Sequence, residues 1–308
     1  MQSIPSFTEH VTQAADTRLH YIQAGQGDLL ILIHGSVCDY RYWRWQMGQF
    51  SAVGRVAAPS LPGCWPEAVG PAVALDDAVN AKETPSDDAV NAWVTPLDEA
   101  VNAGETAGAD TPYSMERHVQ ALLDLCMELS PQRPVRLLGH SRGAQVALEA
   151  ALAMPERVAG LILADPGFPF TDEPPVQPVH ARIARKLGSA PLDEVIGEFV
   201  DAVNGPGTWR QTVSWFKEMV RANAWTLLPQ LRDIDRSIDA GALAGRLKCP
   251  VLLLGGEFSP PRYGERIARL LQALPEASAI TIPRAAHGMN LANARRFNEV
   301  VLKFLGEL

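Results

Sequence analysis

The sequence LLGHSRGAQVALEAA (residues 137–151) decides the fold, because a glycine-rich turn separates an apolar run from an alanine-rich stretch. The apolar run predicts a strand, and the alanine-rich stretch predicts a helix. The turn between them reads GHSRG at residues 139–143 and fits the pattern G-x-S-x-G. In a strand–turn–helix setting, this pattern makes a sharp turn that lifts the serine oxygen clear of the sheet. We therefore predict that Ser141 is a catalytic nucleophile.

Four short apolar runs have the character of strands that are buried on both faces. They lie at 29–33, 135–138, 161–164 and 251–254. Helical patterns separate these runs, and an apolar helical stripe over 297–305 follows the last of them. Strands that alternate with helices predict the α/β class, with a mostly parallel sheet and helices on both faces.

A serine hydroxyl is a poor nucleophile near neutral pH, so a base must lie within hydrogen-bond reach of it. His287 is the best placed of the histidines, because it follows the strand-like run AITIP and precedes the final amphipathic helix. A loop in that position lies at the carboxyl edge of the sheet. We predict that His287 is the general base.

Acyl transfer also needs hydrogen-bond donors aimed at the developing oxyanion. The tripeptide His34-Gly35-Ser36 directly follows the buried run LLILI, where the chain leaves the sheet edge. We expect the backbone N–H groups of Ser36 and Arg142 to form this oxyanion hole.

Composition excludes several classes of function. The chain has 308 residues and a net charge of −8, with 47% hydrophobic and 20% charged residues, which is typical of a globular protein and unfavourable for binding a phosphate backbone. We expect no nucleic-acid partner. The four cysteines lie far apart, so no metal site or disulfide framework is predicted, and the chemistry requires no cofactor. The absence of a signal-like or membrane-spanning apolar run predicts a cytoplasmic protein without membrane attachment. The sequence does not predict the oligomeric state.

Two stretches interrupt the alternation of strands and helices. Residues 75–107 hold three copies of an 11-residue unit that contains AVNA, which we interpret as an acidic surface insertion. Residues 167–247 are too long for a simple crossover and are predicted to be helical. Within them, one apolar stripe runs along a single helix from Trp209 through Val213, and Trp215 and Met219 fall on another stripe. One face of such a helix can dock on the core while Trp215 and Met219 line a substrate cavity.

The chain resembles the α/β-hydrolase superfamily over nearly its whole length. Five segments carry the resemblance, in the order LLILIHGSVCDYRYW, LLGHSRGAQVALEAA, LILADPG, VLLLGGEFSPP and IPRAAHGMNLANARRFNEVVLKFL. The resemblance implies an eight-stranded sheet with a helical cap after the sixth strand. The core would then comprise 1–166 and 248–308, and the cap, or lid, would comprise 167–247.

One departure from the superfamily leaves the third triad residue open. Members usually carry an aspartate three positions after the glycine that ends strand seven, and counting from Gly256 this position holds Ser259. Asp165, directly after strand six, can orient His287 instead, and Glu257 is the alternative acid. The third alternative is that no carboxylate fills the role.

The residues together predict a serine hydrolase that cleaves a small carboxylic ester or lactone through an acyl-enzyme on Ser141. One alternative is a hydrolase-fold protein that binds a ligand without catalysis, since the usual acid is missing. Another is hydrolysis of a C–C bond in a diketone-like substrate, for which the same triad can serve. A further hypothesis concerns Arg142: GHSRGA resembles the elbow of haloacetate dehalogenases, in which the arginine contacts the substrate carboxylate, so Arg142 would favour an acidic substrate.

Overall fold

An eight-stranded mixed sheet forms the centre of the molecule in a computed structural model of the chain. The structure describes residues 7–68, 113–173, 179–233 and 236–308. The repeat insertion predicted at 75–107 lies outside the described residues. The strands follow one another in the sheet in the order β1-β2-β4-β3-β5-β6-β7-β8. Their bounds are β1 Thr8–Ala14, β2 Thr17–Ala24, β3 Leu29–Ile33, β4 Arg55–Pro59, β5 Val135–His140, β6 Val158–Ala164, β7 Val251–Gly256 and β8 Ser278–Ile282.

In sheet order, the strands from β4 to β8 are parallel to one another. Strand β2 runs antiparallel to both of its neighbours, β1 and β4. A two-residue turn joins β1 to β2, and both of its residues, Ala15 and Asp16, have positive φ angles of 48° and 58°. The central strand β3 is buried along its whole length, as its uninterrupted apolar sequence predicts. The mostly parallel eight-stranded sheet expected from the resemblance is therefore confirmed.

Helices cover both faces of this sheet. They are α1 Arg44–Phe50, α2 Met115–Leu129, α3 Arg142–Ala153, α4 Val179–Ala184, α5 Leu192–Asn204, α6 Thr208–Gln211, α7 Ser214–Ala222, α8 Pro261–Ala273, α9 Met289–Ala292 and α10 Ala294–Gly306. Alternate side chains of the strands point to opposite faces, and this divides the core in two. Ile31 and Leu137 belong to the cluster under α2 and α3, whereas Leu32 and Leu138 belong to the cluster that includes α1 and α10.

The segment between β6 and β7 was predicted to be helical, and it contains the helices α4 to α7. A hydrogen bond joins the start and the end of this segment: the N–H of Ile238 donates to the carbonyl oxygen of Pro169 at 2.9 Å. The boundaries predicted for a cap at 167 and 247 stay a prediction.

The single helix expected through Trp209 and Val213 is wrong, because the chain breaks there into α6 and α7. Thr212 and Val213 have extended backbones, with ψ angles of 140° and 154°. Both residues are β-branched, which lowers their helix propensity. The hydroxyl of Thr212 donates to the carbonyl oxygen of Thr208 at 2.8 Å, so it bonds the last turn of α6. The break lets α7 turn away from α6.

Among the described residues, no helix combines the length and the apolar character that crossing a membrane requires.

Candidate active site

Ser141 lies on the tight turn between β5 and α3, as the GHSRG motif predicts. Its φ and ψ angles are 56° and −119°, a strained conformation for a residue with a side chain. Bonds to the backbone hold it there, since the N–H of Ser141 donates to the carbonyl oxygen of Ala164 at 2.9 Å. Strain that is fixed in this way keeps the serine oxygen at the surface of the turn.

The glycines on either side of Ser141 are required by close backbone contacts. A Cβ atom on Gly139 would lie 2.1 Å from the carbonyl oxygen of Gly143. A Cβ atom on Gly143 would lie 2.3 Å from the carbonyl oxygen of Ile33 in β3. Any side chain at either position would therefore move the nucleophile turn away from the sheet.

Asp165 is the carboxylate that the structure brings to His287. Its Oδ2 atom accepts a hydrogen bond from Nδ1 of His287 at 2.9 Å. Asp165 is fully buried directly after β6, and its backbone N–H donates to the carbonyl oxygen of Leu254 in β7 at 2.8 Å. Its positive φ of 42° is a second strained backbone position at this edge of the sheet.

Ser259, at the position where the resemblance leads one to expect an acid, also contacts Asp165. Its hydroxyl donates to the same Oδ2 atom at 2.6 Å. Two donors therefore converge on one oxygen of the carboxylate and fix its orientation. The other oxygen, Oδ1, is buried and has no hydrogen-bond partner among the described residues. The sequence pattern identifies Ser259 as a departure from the superfamily but does not predict its contact with Asp165.

Glu257, the alternative acid, lies elsewhere. It is exposed, and its carboxylate accepts a hydrogen bond from the backbone N–H of Arg284 at 2.7 Å. This bond ties together the loops that follow β7 and β8, and it leaves Asp165 as the carboxylate on His287.

Two aromatic rings flank the imidazole of His287. The ring of Tyr263 stacks on it, with 4.4 Å between centroids and 19° between planes. The ring of His140 lies 4.5 Å away at 46°. Neither contact was predicted from the sequence, although His140 directly precedes the nucleophile and Tyr263 lies shortly after the position of the usual acid.

His140 also holds the backbone of the histidine loop. Its Nε2–H donates to the carbonyl oxygen of His287 at 2.8 Å. Burial, followed by the proximity of His287, holds the pKa of His140 well below its usual range. His140 is therefore neutral and acts as a donor through Nε2.

The loop that carries Ser36 is fixed by buried polar groups. The imidazole of His34 donates from Nδ1 to the carbonyl oxygen of Gly35 at 2.8 Å and accepts at Nε2 from the N–H of Leu61 at 3.0 Å. Further along the same loop, the carboxylate of Asp39 accepts a hydrogen bond from the side chain of Asn223 at 2.8 Å. Asn223 directly follows α7, so the helices between β6 and β7 are anchored to this loop.

Ser141, His287 and Ser36 line one cavity of about 500 Å³. Its other walls come mainly from α5, α7 and the aromatic segment after β3, and they include Phe199, Val200, Trp215, Phe216, Tyr42 and Trp45. No aspartate, glutamate, lysine or arginine is among the described residues that line it. The cavity therefore offers a neutral and largely apolar environment next to Ser141.

Trp215 lines this cavity as predicted, but Met219 does not. Met219 is fully buried in the core cluster that contains α1 and α10. The two residues lie one turn apart on the same face of α7, so they differ in their position along the helix: Trp215 is in the first turn, at the cavity, and Met219 is one turn further on, in the core.

The side chain of Arg142 points away from the cavity. It is buried, and its guanidinium lies 4.9 Å from the centre of the Tyr113 ring. The contact between Arg142 and a substrate carboxylate is therefore not supported by the position of the guanidinium. The backbone N–H of Arg142, at the start of α3, remains the predicted oxyanion donor.

Comparison with known proteins places this geometry in a family. The model of the alpha/beta hydrolase family matches residues 30–300. The chain is 25% identical over 295 residues to the pimeloyl-[acyl-carrier protein] methyl ester esterase of Edwardsiella ictaluri, an alignment that covers 92% of this chain and 95% of that one.

Two solved structures illustrate the similarity of fold. A thermophilic esterase from Thermogutta terrifontis superimposes with a TM-score of 0.70 at 22% identity, over 97% of this chain and 98% of that chain. The enol-lactonase from Burkholderia xenovorans superimposes with a TM-score of 0.69 at 18% identity, over 96% of this chain and 100% of that chain.

Proposed function

Because this chain belongs to the alpha/beta hydrolase family, we propose that it is a serine hydrolase that cleaves a small carboxylic ester or lactone through an acyl-enzyme on Ser141. The observation that carries the proposal is the 2.9 Å hydrogen bond between Asp165 and His287, at the edge of a cavity that Ser141 also lines. A candidate nucleophile, base and acid at the edge of one cavity support the serine mechanism.

In the first half of the reaction, Nε2 of His287 takes the proton of Ser141 as the serine oxygen attacks the substrate carbonyl. Asp165 accepts from Nδ1–H, which keeps Nε2 unprotonated before the attack and stabilises the imidazolium after it. The backbone N–H groups of Ser36 and Arg142 stabilise the tetrahedral oxyanion. The imidazolium then returns its proton to the leaving alcohol oxygen, and the acyl group stays on Ser141.

In the second half, a water molecule gives its proton to Nε2 of His287 and attacks the acyl-enzyme. Collapse of the second tetrahedral intermediate breaks the bond to the serine oxygen, which recovers the proton from His287. The products are a carboxylic acid and an alcohol, or a single hydroxy acid when the substrate is a lactone.

The cavity favours substrates without a charge near the scissile bond. A carboxylate buried against Phe199, Trp215 and Phe216 would find no cationic partner among the lining residues that the structure describes, and an unpaired buried charge is costly. The names of the similar proteins, an esterase and an enol-lactonase, support cleavage of a carbonyl–oxygen bond.

The test is turnover of p-nitrophenyl acetate and butyrate, together with fluorophosphonate labelling, by wild type and Ser141→Ala. Ser189→Ala is the matched control, because Ser189 is exposed on the segment before α5. We expect wild type and Ser189→Ala to turn over both esters and to be labelled, and Ser141→Ala to do neither. A wild type that neither turns over nor becomes labelled would overturn the proposal in favour of a binding protein with this fold.

A further inference from the structure

The catalytic imidazole has a buried aromatic ring stacked against its face, and this contact is outside the substrate cavity. Tyr263 lies in the first turn of α8, is 4% exposed and is not among the residues that line the cavity. Its ring centre lies 4.4 Å from that of His287, nearly parallel to it. Tyr263 therefore acts on the reaction only through His287.

We propose that Tyr263 is a positioning residue whose ring face stabilises the protonated form of His287 and holds its Nε2 atom toward Ser141. The inference rests on the proposed function, in which His287 carries a positive charge each time a tetrahedral intermediate forms.

The two partners of His287 act on different parts of the imidazole. Asp165 contacts Nδ1 at the edge of the ring, whereas the ring of Tyr263 covers its face and its hydroxyl oxygen lies 3.5 Å from Nε2. An aromatic face carries negative charge density, and it attracts a cation most strongly where water is excluded. Stacking also limits rotation of the imidazole about its bond to Cβ, because rotation would drive the ring into Tyr263.

Tyr263 is itself held in place. The guanidinium of Arg262 donates to its hydroxyl oxygen at 3.2 Å, and its backbone N–H donates to the carbonyl oxygen of Pro260 at 3.0 Å. Burial raises the pKa of the Tyr263 hydroxyl, so the phenol stays neutral over the pH range of the reaction.

The ionisable groups near His287 come from four elements. Asp165 follows β6, His140 ends β5, Tyr263 and Arg262 begin α8, and Tyr42 lies in the 3₁₀ turn Tyr40–Trp43, 3.5 Å from Nε2 of His140. His140 is neutral because burial lowers its pKa, and burial raises the pKa of Tyr42, so neither changes charge over the pH range of the reaction. The positive charge of Arg262 is constant over the same range.

The experiment varies the electron density of the ring at fixed shape. Tyr263→Phe keeps the face but removes the hydroxyl and its 3.5 Å contact with Nε2 of His287, so it is the reference for the series. Phenylalanines with an increasing number of ring fluorines, introduced at this position, then weaken the negative face progressively. Tyr263→Leu removes the ring. For each protein the pH profile of kcat/KM with p-nitrophenyl butyrate is measured, and the titration of the His287 ring is followed by NMR.

We expect Tyr263→Phe to remain active, and its profile is the reference for the fluorinated proteins, because all of them lack the contact of the Tyr263 hydroxyl with Nε2 of His287. With increasing fluorination, the acidic limb of the profile and the midpoint of the His287 titration move together to lower pH. The full shift is about one pH unit, with about tenfold lower kcat, as expected for a desolvated cation–π contact. The direction follows because a weaker face destabilises the imidazolium, which then loses its proton at lower pH.

A limb and a midpoint that stay constant across the fluorinated series would overturn the proposal, even if Tyr263→Leu lost activity through poor folding. The two readouts also separate this proposal from the proposed function. The NMR midpoint needs no turnover, so a shifting midpoint in a protein that cleaves no ester would support the stacking effect while contradicting the ester hydrolase.

Discussion

Replacing Asp165 with asparagine is expected to reduce kcat about 10⁴-fold, and the hydrogen bonds around this residue explain why. Oδ2 of the carboxylate accepts from both His287 and Ser259, whereas Oδ1 has no partner among the described residues. For the NH₂ group of an asparagine in the same place, the acceptors are Nδ1 of His287 and the hydroxyl oxygen of Ser259, which both lie at the position of Oδ2. We therefore expect the NH₂ group to face His287.

That orientation reverses the tautomer of His287. The NH₂ group donates to Nδ1, so the proton of the neutral imidazole moves to Nε2, the atom that must accept the proton of Ser141. Catalysis then depends on the minor tautomer, which is the physical reason for the large loss. Asp165→Asn should fold normally, because the change preserves the shape of a fully buried side chain.

Two further variants provide kcat values with which the loss in Asp165→Asn is compared. Ser259→Ala removes the 2.6 Å hydrogen bond to Oδ2 but keeps the carboxylate, and we expect about a tenfold loss of kcat, in line with one charge-assisted hydrogen bond. Glu257→Gln is the matched control, because this exposed acid follows β7 and bonds Arg284 rather than His287. It should stay within about twofold of wild type, which corresponds to less than 1 kcal/mol.

The assay is kcat for p-nitrophenyl butyrate at a fixed pH near neutrality, with the rate of fluorophosphonate labelling as a second readout and thermal unfolding as a check on folding. Labelling should slow by the same factor as turnover, because both need the activated serine. An Asp165→Asn protein that folds and keeps more than a tenth of wild-type kcat would refute the assignment of Asp165, and collapse of Glu257→Gln would transfer the role to that residue.

Three other outcomes are expected. The neutral cavity predicts that the p-nitrophenyl monoester of succinate has a kcat/KM roughly 100-fold lower than p-nitrophenyl butyrate, and equal values would contradict the neutral site. Gly143→Ala should lower the free energy of unfolding in urea by about 3 kcal/mol, because its Cβ would lie 2.3 Å from a β3 carbonyl oxygen, whereas Gly264→Ala, with no atom within 4 Å of its Cβ, should not be destabilised. Burial, then the charge of Arg142, holds the pKa of His118 well below its usual 6.5, so the unfolded chain binds a proton that the folded chain does not, and stability falls as pH drops below about 6.5. Urea midpoints at pH 7.5 and 5.5 should differ less in His118→Gln than in wild type.

Local sequence was sufficient to predict the parts of the site that depend on local structure. The GHSRG turn is recognisable from its local pattern: Gly139 is required by the backbone of Gly143 within the same turn, and only the requirement for Gly143 comes from another strand, β3. The run LLILI is apolar on both faces because it lies in the middle of the sheet, and its character is therefore visible from composition alone.

The identity of the acid depends on distances between strands that the chain does not encode locally. Asp165 and Glu257 follow neighbouring strands, and the sequence does not show that Asp165 is buried against His287 while Glu257 is exposed and bonds the backbone of Arg284. The contact of Ser259 with Asp165 likewise joins the loops after β7 and β6, which are distant in sequence, so the sequence does not predict it.

The helices between β6 and β7 show a second limit. An apolar stripe identifies a helix face, but it does not identify what that face contacts. Met219 and Trp215 are both apolar residues on the same face of α7, yet one lies in the core and the other lines the cavity, one turn away along the helix. Tyr263 was missed for the same reason, since its stacking partner is close only in space.

The most direct test of the account is detection of the acyl-enzyme. Wild-type protein is mixed with p-nitrophenyl butyrate and quenched with acid before the first turnover is complete, and the acyl group is located by peptide mass spectrometry. We predict one butyryl group per chain on the peptide that contains Ser141, and none in Ser141→Ala. Rapid turnover with Ser141 unmodified at every time point, or a butyryl group on another residue, would contradict the account.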